Sequence, residues 1–207
     1  MANIFRIDSP FMRFMTKLFD MIALNLVFLV CCLPVVTIGA SCTALHTVVL
    51  KTAAGDEPYA VKSFFEAFRK NFRQSTAAWI IMLTAGIFLY VDSFMAAQMG
   101  TGGFFMKMIL GIASVLCFLA ALYIFPIQAR YENTIRANFK NALLLAVRHF
   151  PKTVLLALTV IIPAGLILYS PTEVFALMLI FFLLVGAAVI AGIQDRIIWK
   201  IFQSYEG

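Results

Sequence analysis

An all-α, polytopic membrane helix bundle is the fold class this sequence predicts, and three observations carry that prediction. Of 207 residues, 63% are hydrophobic and 13% charged, with a mean hydropathy of +0.97. A water-exposed surface needs about a quarter of its residues charged. Four stretches reach the roughly 20 apolar residues that span a hydrocarbon core. Fifteen of the 16 Lys and Arg residues gather at one end of those stretches. Together these exclude a soluble enzyme and a disordered chain. The net charge of +6 then reads as a membrane-topology signal and implies no nucleic-acid partner.

Residues 1–17 carry Arg6, Arg13 and Lys17 ahead of the first apolar run and predict a cytoplasmic N-terminus. They lack the form of a signal peptide. Residues 18–50 are too long an apolar run for one helix and barely enough for two. Pro34 deletes a backbone N–H and Gly39 relaxes the chain, so Pro34–Gly39 predicts a turn that breaks the run into a hairpin of two short helices. The spans Ala77–Met99 and Phe104–Ile127 predict a second hairpin over 77–127. Thr153–Tyr169 and Val174–Gln194 predict a third over 153–194, followed by a cytoplasmic tail, 195–207. The outer connections are then short: Pro34–Gly39, Gly100–Gly103 and Ser170–Thr172. With three hairpins, every Lys and Arg except Lys107 lies on one side, which the positive-inside rule makes cytoplasmic. A single pass through 18–50 would put Lys51, Lys62, Arg69, Lys70 and Arg73 on the wrong side. The whole chain, 1–207, reads as one membrane domain of six segments with both termini cytoplasmic. The first hairpin either spans or enters and returns on the same side.

Two inner connections predict cytoplasmic amphipathic helices. Over 58–75, Val61, Phe64, Phe65, Phe68 and Phe72 recur at helical spacing, with Lys62, Glu66, Arg69, Lys70 and Arg73 around them. Over 133–151, Ile135, Phe139, Leu143, Val147 and Phe150 form the apolar stripe, flanked by Arg136, Lys140 and Arg148. Helices of this kind lie in the headgroup layer of the bilayer or dock on a partner. Phe64, Phe68, Arg69, Lys70, Phe72, Arg73, Phe139, Lys140 and Arg148 are therefore the candidate lipid- or partner-binding residues. A basic and aromatic segment precedes each hairpin (Phe11–Lys17, Phe68–Arg73 and Val147–Lys152), a parallel rather than an inverted repeat.

Ionisable and polar groups inside a membrane are costly and so mark either packing or function. Asp92 and Lys107 face each other across the second hairpin as a candidate ion pair near the outer surface, with an ion or proton site as the alternative. Asp20 and Asp195 sit near inner span ends, beside Lys17 and Arg196, and read as interfacial. Asn25, Thr37, Ser41, Thr43 and His46 form a candidate polar intramembrane cluster around the broken hairpin. It serves either to hydrogen-bond helices together or to bind a solute at exposed backbone. His149 reads as interfacial. Cys31, Cys32, Cys42 and Cys117 form no C-x-x-C pair and read as small buried apolar residues. The chain carries no phosphate loop, zinc motif or nucleophile elbow, so no catalytic residue, cofactor or metal is expected.

The string from Asn25 through Leu33-Pro34-Val35-Val36-Thr37-Ile38-Gly39-Ala40 to Thr43-Ala44-Leu45 resembles the opening of the bacterial YesL family, domain-of-unknown-function family 624. Ser63-Phe64-Phe65 with Phe68 to Gln74 resembles the family's first cytoplasmic helix. Asn141-Ala142-Leu143 to Pro151-Lys152-Thr153 resembles its second. The resemblance implies an integral plasma-membrane protein of mainly Gram-positive bacteria, often encoded beside carbohydrate ABC-transporter genes, and it brings no assigned activity. A non-enzymatic accessory component that meets the lipid bilayer and a carbohydrate ABC-transporter permease is the expectation it supports. The alternative is a small-solute or ion transporter or channel with its pathway beside the broken hairpin.

Overall fold

The computed structural model describes residues 10–56, 59–98, 103–169 and 171–206. Arg6 with the rest of residues 1–9, the connection at 100–102, and Ser170 lie outside them. Among the described residues every regular element is helical. α1 (Pro10–Cys32) and α2 (Ile38–Ala53) flank one 3-10 turn, Val35–Thr37. α3 (Ala60–Gln98) and α4 (Phe104–Arg130) make a long hairpin. α5 (Ile135–Arg148) leads directly into α6 (Phe150–Tyr169). α7 (Thr172–Phe181) continues through a π-helical turn, Phe182–Gly186, into α8 (Ala187–Glu206). Six of these runs are long and apolar enough to cross a membrane, the number that hydropathy predicts.

The chain breaks at Pro34 as the missing N–H requires, and side chains brace the turn. Thr37 Oγ1 lies 2.6 Å from Cys31 O and 2.8 Å from Pro34 O, while Trp79 Nε1 donates to Val35 O at 2.8 Å. Pro34 O and Val35 O also accept from the backbone N–H groups of Thr37 and Ile38, so the side chains reinforce a turn that the backbone already closes. They also fix where the turn sits. Trp79 is 19 residues before the end of α3 at Gln98, about 28 Å at 1.5 Å per residue. That is nearly the thickness of a hydrocarbon core. The Pro34–Gly39 connection therefore does not join the far end shared by α3 and α4, where the sequence reading places all three outer connections. α1 and α2 lie instead beside the basic half of α3.

Gly39 makes this contact possible. A Cβ added there would fall 2.5 Å from both Ser75 O and Trp79 Cβ, and backbone cannot yield as a flexible side-chain end can. Gly39→Ala is expected to push α2 off α3 and cost about 1–3 kcal/mol, read as a lower unfolding temperature in detergent. Unchanged stability would mean the two helices separate freely.

α3 corrects a second expectation. The cytoplasmic helix over 58–75 and the span beginning at Ala77 are one unbroken helix of 39 residues, about 58 Å long. Neither Gly nor Pro occurs between Arg73 and Ala77 to stop propagation. Phe64 is fully buried among Leu24, Ala44, Leu45, Val48 and Ala67, packed in protein rather than in headgroups. Phe68 is half-buried against the same cluster, and Phe72 is exposed. The helix over 133–151 likewise differs. α5 buries Asn138, Ala142 and Ala146, a narrow face that lets its backbone approach α4 closely. Of the predicted stripe, Ile135, Phe139 and Leu143 are half-buried, whereas Val147 and Phe150 are exposed. The small-residue face wins because a close backbone contact needs small side chains more than it needs large apolar ones.

A larger core joins Tyr123, Ile124 and Ile127 of α4 to Leu156 of α6 and to Ile198, Ile201 and Phe202 of α8. Tyr123 Oη and Thr153 Oγ1 pair at 2.9 Å inside it, and Thr153 Oγ1 also donates to Ala146 O at 2.9 Å. The opposite ends of α3 and α4 carry exposed apolar side chains such as Phe88, Phe94 and Phe105, the surface expected to face lipid tails. The chain's tightest packing is thus at its basic end.

Candidate functional site

The five polar residues predicted around the broken hairpin separate into three seats. Asn25, fully buried on α1, serves the π-helical turn. A π turn shifts the hydrogen-bond ladder by one residue and leaves backbone groups to be met from outside. Asn25 Nδ2 donates to Phe182 O at 3.0 Å and Leu183 O at 2.8 Å, and Ala188 N donates to Asn25 Oδ1 at 3.1 Å. Thr37 closes the hairpin turn, and Ser41 Oγ donates back to Thr37 O at 3.0 Å. Thr43 and His46, one turn apart on α2, face the interior.

Thr43 Oγ1 lies 2.8 Å from Ser75 Oγ on α3 and 3.5 Å from Gln128 Oε1 on α4, so one hydroxyl ties three helices. His46 Nδ1 meets Asp195 Oδ1 at 2.8 Å, with Asp195 fully buried on α8. The pair is a hydrogen bond with a neutral imidazole and an ion pair with a protonated one. Asp195 therefore does not sit at the interface beside Arg196. Burial excludes it from water, and His46 is the compensating group that such burial demands. Among the described residues, Asp195 Oδ2 and Gln128 Nε2 are buried without a hydrogen-bond partner.

Asp92 and Lys107 form no ion pair among the described residues. Lys107 is exposed and runs along α4's own outer surface with Met108, Gly111, Ile112 and Val115, while Asp92 is half-buried on α3. Facing positions in a hairpin sequence do not fix the helix faces that meet. Asp20 and Lys17 are exposed on α1. The four cysteines are free and half-buried rather than core residues.

The predicted basic residues remain outward. Arg69, Lys70, Arg73, Lys140 and Arg148 are exposed. Lys70 Nζ bonds Glu132 Oε1 at 2.5 Å, and this hydrogen bond, with the ammonium charge behind it, holds the Glu132 carboxyl below the usual carboxylate range. Arg148 lies over the Tyr205 ring, whose hydroxyl is 3.0 Å from His149 Nε2. Partial desolvation, then the charges of Lys152 and Arg148, lowers the His149 pKa from its ordinary value. Arg130 stacks on Trp199 at 4.1 Å, a cation–π contact that fastens the end of α4 to α8.

Sequence reasoning missed Ser75, Gln128, Thr153 and the partner role of Asp195. One signal for the last was available: His46 lies in a mostly apolar run, Asp195 directly follows one, and a buried carboxylate calls for a compensating partner.

A family model described as a protein of unknown function, DUF624, matches residues 21–93. That segment holds the broken hairpin and nearly all of α3. The uncharacterized protein YesL of Bacillus subtilis (strain 168) is 27% identical over 164 residues, covering 79% of this chain and 74% of that protein. No solved structure matches the chain.

Proposed function

We propose that the chain is a member of the DUF624 family, whose model matches residues 21–93, and that it is a non-enzymatic integral protein of a bacterial plasma membrane. Its role is accessory: it attaches to the permease of a carbohydrate ABC-type importer and does not itself conduct a solute. The observation that carries this reading is the use made of the polar residues at the broken hairpin. A solute pathway needs hydroxyl, amide and carbonyl groups turned toward a passage. Here Asn25 is spent on Phe182, Leu183 and Ala188, Thr37 on its own turn, and Thr43 on Ser75. These groups hold helices together. The exposed apolar flank of α3 and α4 leaves a broad surface for lipid and for a partner's membrane helices.

Purification of the full chain in mild detergent, with mass spectrometry of co-isolating proteins, tests the proposal. A permease recovered in stoichiometric amount is the expected result. Solute flux through vesicles holding the purified chain alone would establish the transporter reading instead.

Orientation is tested separately. The basic end is expected to be cytoplasmic, so cysteines introduced at Lys62 and Lys140 should be inert to a membrane-impermeant thiol reagent in intact cells. They should react once the cells are opened. Labelling from outside would reverse the orientation.

A further inference from the structure

We infer that a cavity at the basic ends of α2, α3 and α4 is a binding site for a phosphate-bearing anionic group. The cavity holds about 260 Å³ and is lined by Lys51 of α2, Ser63, Glu66 and Lys70 of α3, Gln128 of α4, and Glu132 beyond it.

Its unspent hydrogen-bonding capacity selects the ligand. Both carboxylates already have ammonium partners: Glu132 has Lys70 at 2.5 Å, and Glu66 has Lys62 at 4.0 Å. What remains is donor capacity. Gln128 is 4% exposed, and its Nε2 meets no acceptor among the described residues. A buried amide N–H₂ left unpaired costs about 1–3 kcal/mol, which a ligand oxygen would recover. Lys51 forms no ion pair with a described carboxylate and supplies the mobile positive charge. Arg130 borders the same cavity, so the field there is positive on balance even though two acids line it.

Depth selects the ligand further. From Phe104 at the far end of α4 to Gln128 is 24 residues, about 36 Å. Subtracting a hydrocarbon core of about 30 Å leaves Gln128 at the level of the lipid phosphates. An anionic lipid headgroup meets the site at its mouth, and a free phosphate reaches it from the aqueous side.

Native mass spectrometry of the purified full chain in a non-ionic detergent separates these sources. The probes are phosphatidylglycerol, phosphatidylcholine and inorganic phosphate, each titrated alone, with phosphate also added as a competitor. The expected result is retention of phosphatidylglycerol at least about five-fold tighter than phosphatidylcholine. Gln128→Leu and Lys51→Gln should each abolish that preference, and Arg136→Gln, a basic change outside the cavity, should leave it intact. Lys51 is exposed, so its variant keeps the test decisive should Gln128→Leu fail to fold. Binding of inorganic phosphate that the same two variants weaken supports the site with a soluble ligand as its source. Binding of neither anion overturns the site. So does an equal loss in Arg136→Gln, which would reduce the effect to general surface charge.

Discussion

Asn25→Ala is expected to lower the unfolding temperature of the detergent-solubilised protein by roughly 6–12 °C. Three backbone groups depend on that one side chain, the carbonyls of Phe182 and Leu183 and the N–H of Ala188. All lie at a helical irregularity in an apolar run, where water offers no replacement. At about 1 kcal/mol or more for each orphaned group, the loss is about 3 kcal/mol. Asn25→Asp is the sharper variant. It keeps an acceptor for Ala188 N but presents a carboxylate to two carbonyls, so it should be no more stable than the alanine variant. If Asn25→Asp behaves as wild type, the amide donors are not what holds the π turn.

Breaking the His46–Asp195 pair should cost comparably, with a different signature. Removing one member leaves the other buried beside nothing that compensates it, and losses of about 3–5 kcal/mol follow for single truncations at buried pairs. His46→Leu and Asp195→Leu should each destabilise strongly in thermal unfolding, whereas the double variant should recover most of the loss, because apolar side chains of similar volume need no partner. Additive losses would show that the two side chains act independently despite their 2.8 Å approach.

The same two residues mark where sequence reading succeeds and stops. Span number follows from hydropathy because a bilayer demands a minimum apolar length regardless of neighbours. The break at Pro34 follows from the chemistry of one residue. Pairing does not follow in that way. Nothing local tells His46 that its partner lies 149 residues away, or tells Thr43 that it will meet Ser75 and Gln128. Periodicity also misjudged α5, where Asn138, Ala142 and Ala146 are buried while the larger residues at Val147 and Phe150 face outward. Hydrophobicity ranks residues by their cost in water. Inside a membrane that ranking no longer separates core from surface, and the space available between backbones takes its place. A hairpin brings Lys107 and Asp92 level in the sequence, but level is not azimuth.

The unbroken course of α3 has a mechanical meaning. Its roughly 58 Å exceed a hydrocarbon core by about 28 Å, and the excess is the half that α1, α2 and α8 pack against around Phe64 and Ala67. Membrane helices answer a change in bilayer thickness by tilting. Over that length, a change of about 10° displaces the basic end of α3, with what is packed on it, by about 5 Å. α2 is clamped to that helix through Gly39 and Phe64, so the first hairpin would travel with it. A small reorientation of α3 within the lipid would thus reach the helices packed on its basic half as a displacement that a neighbouring protein could feel.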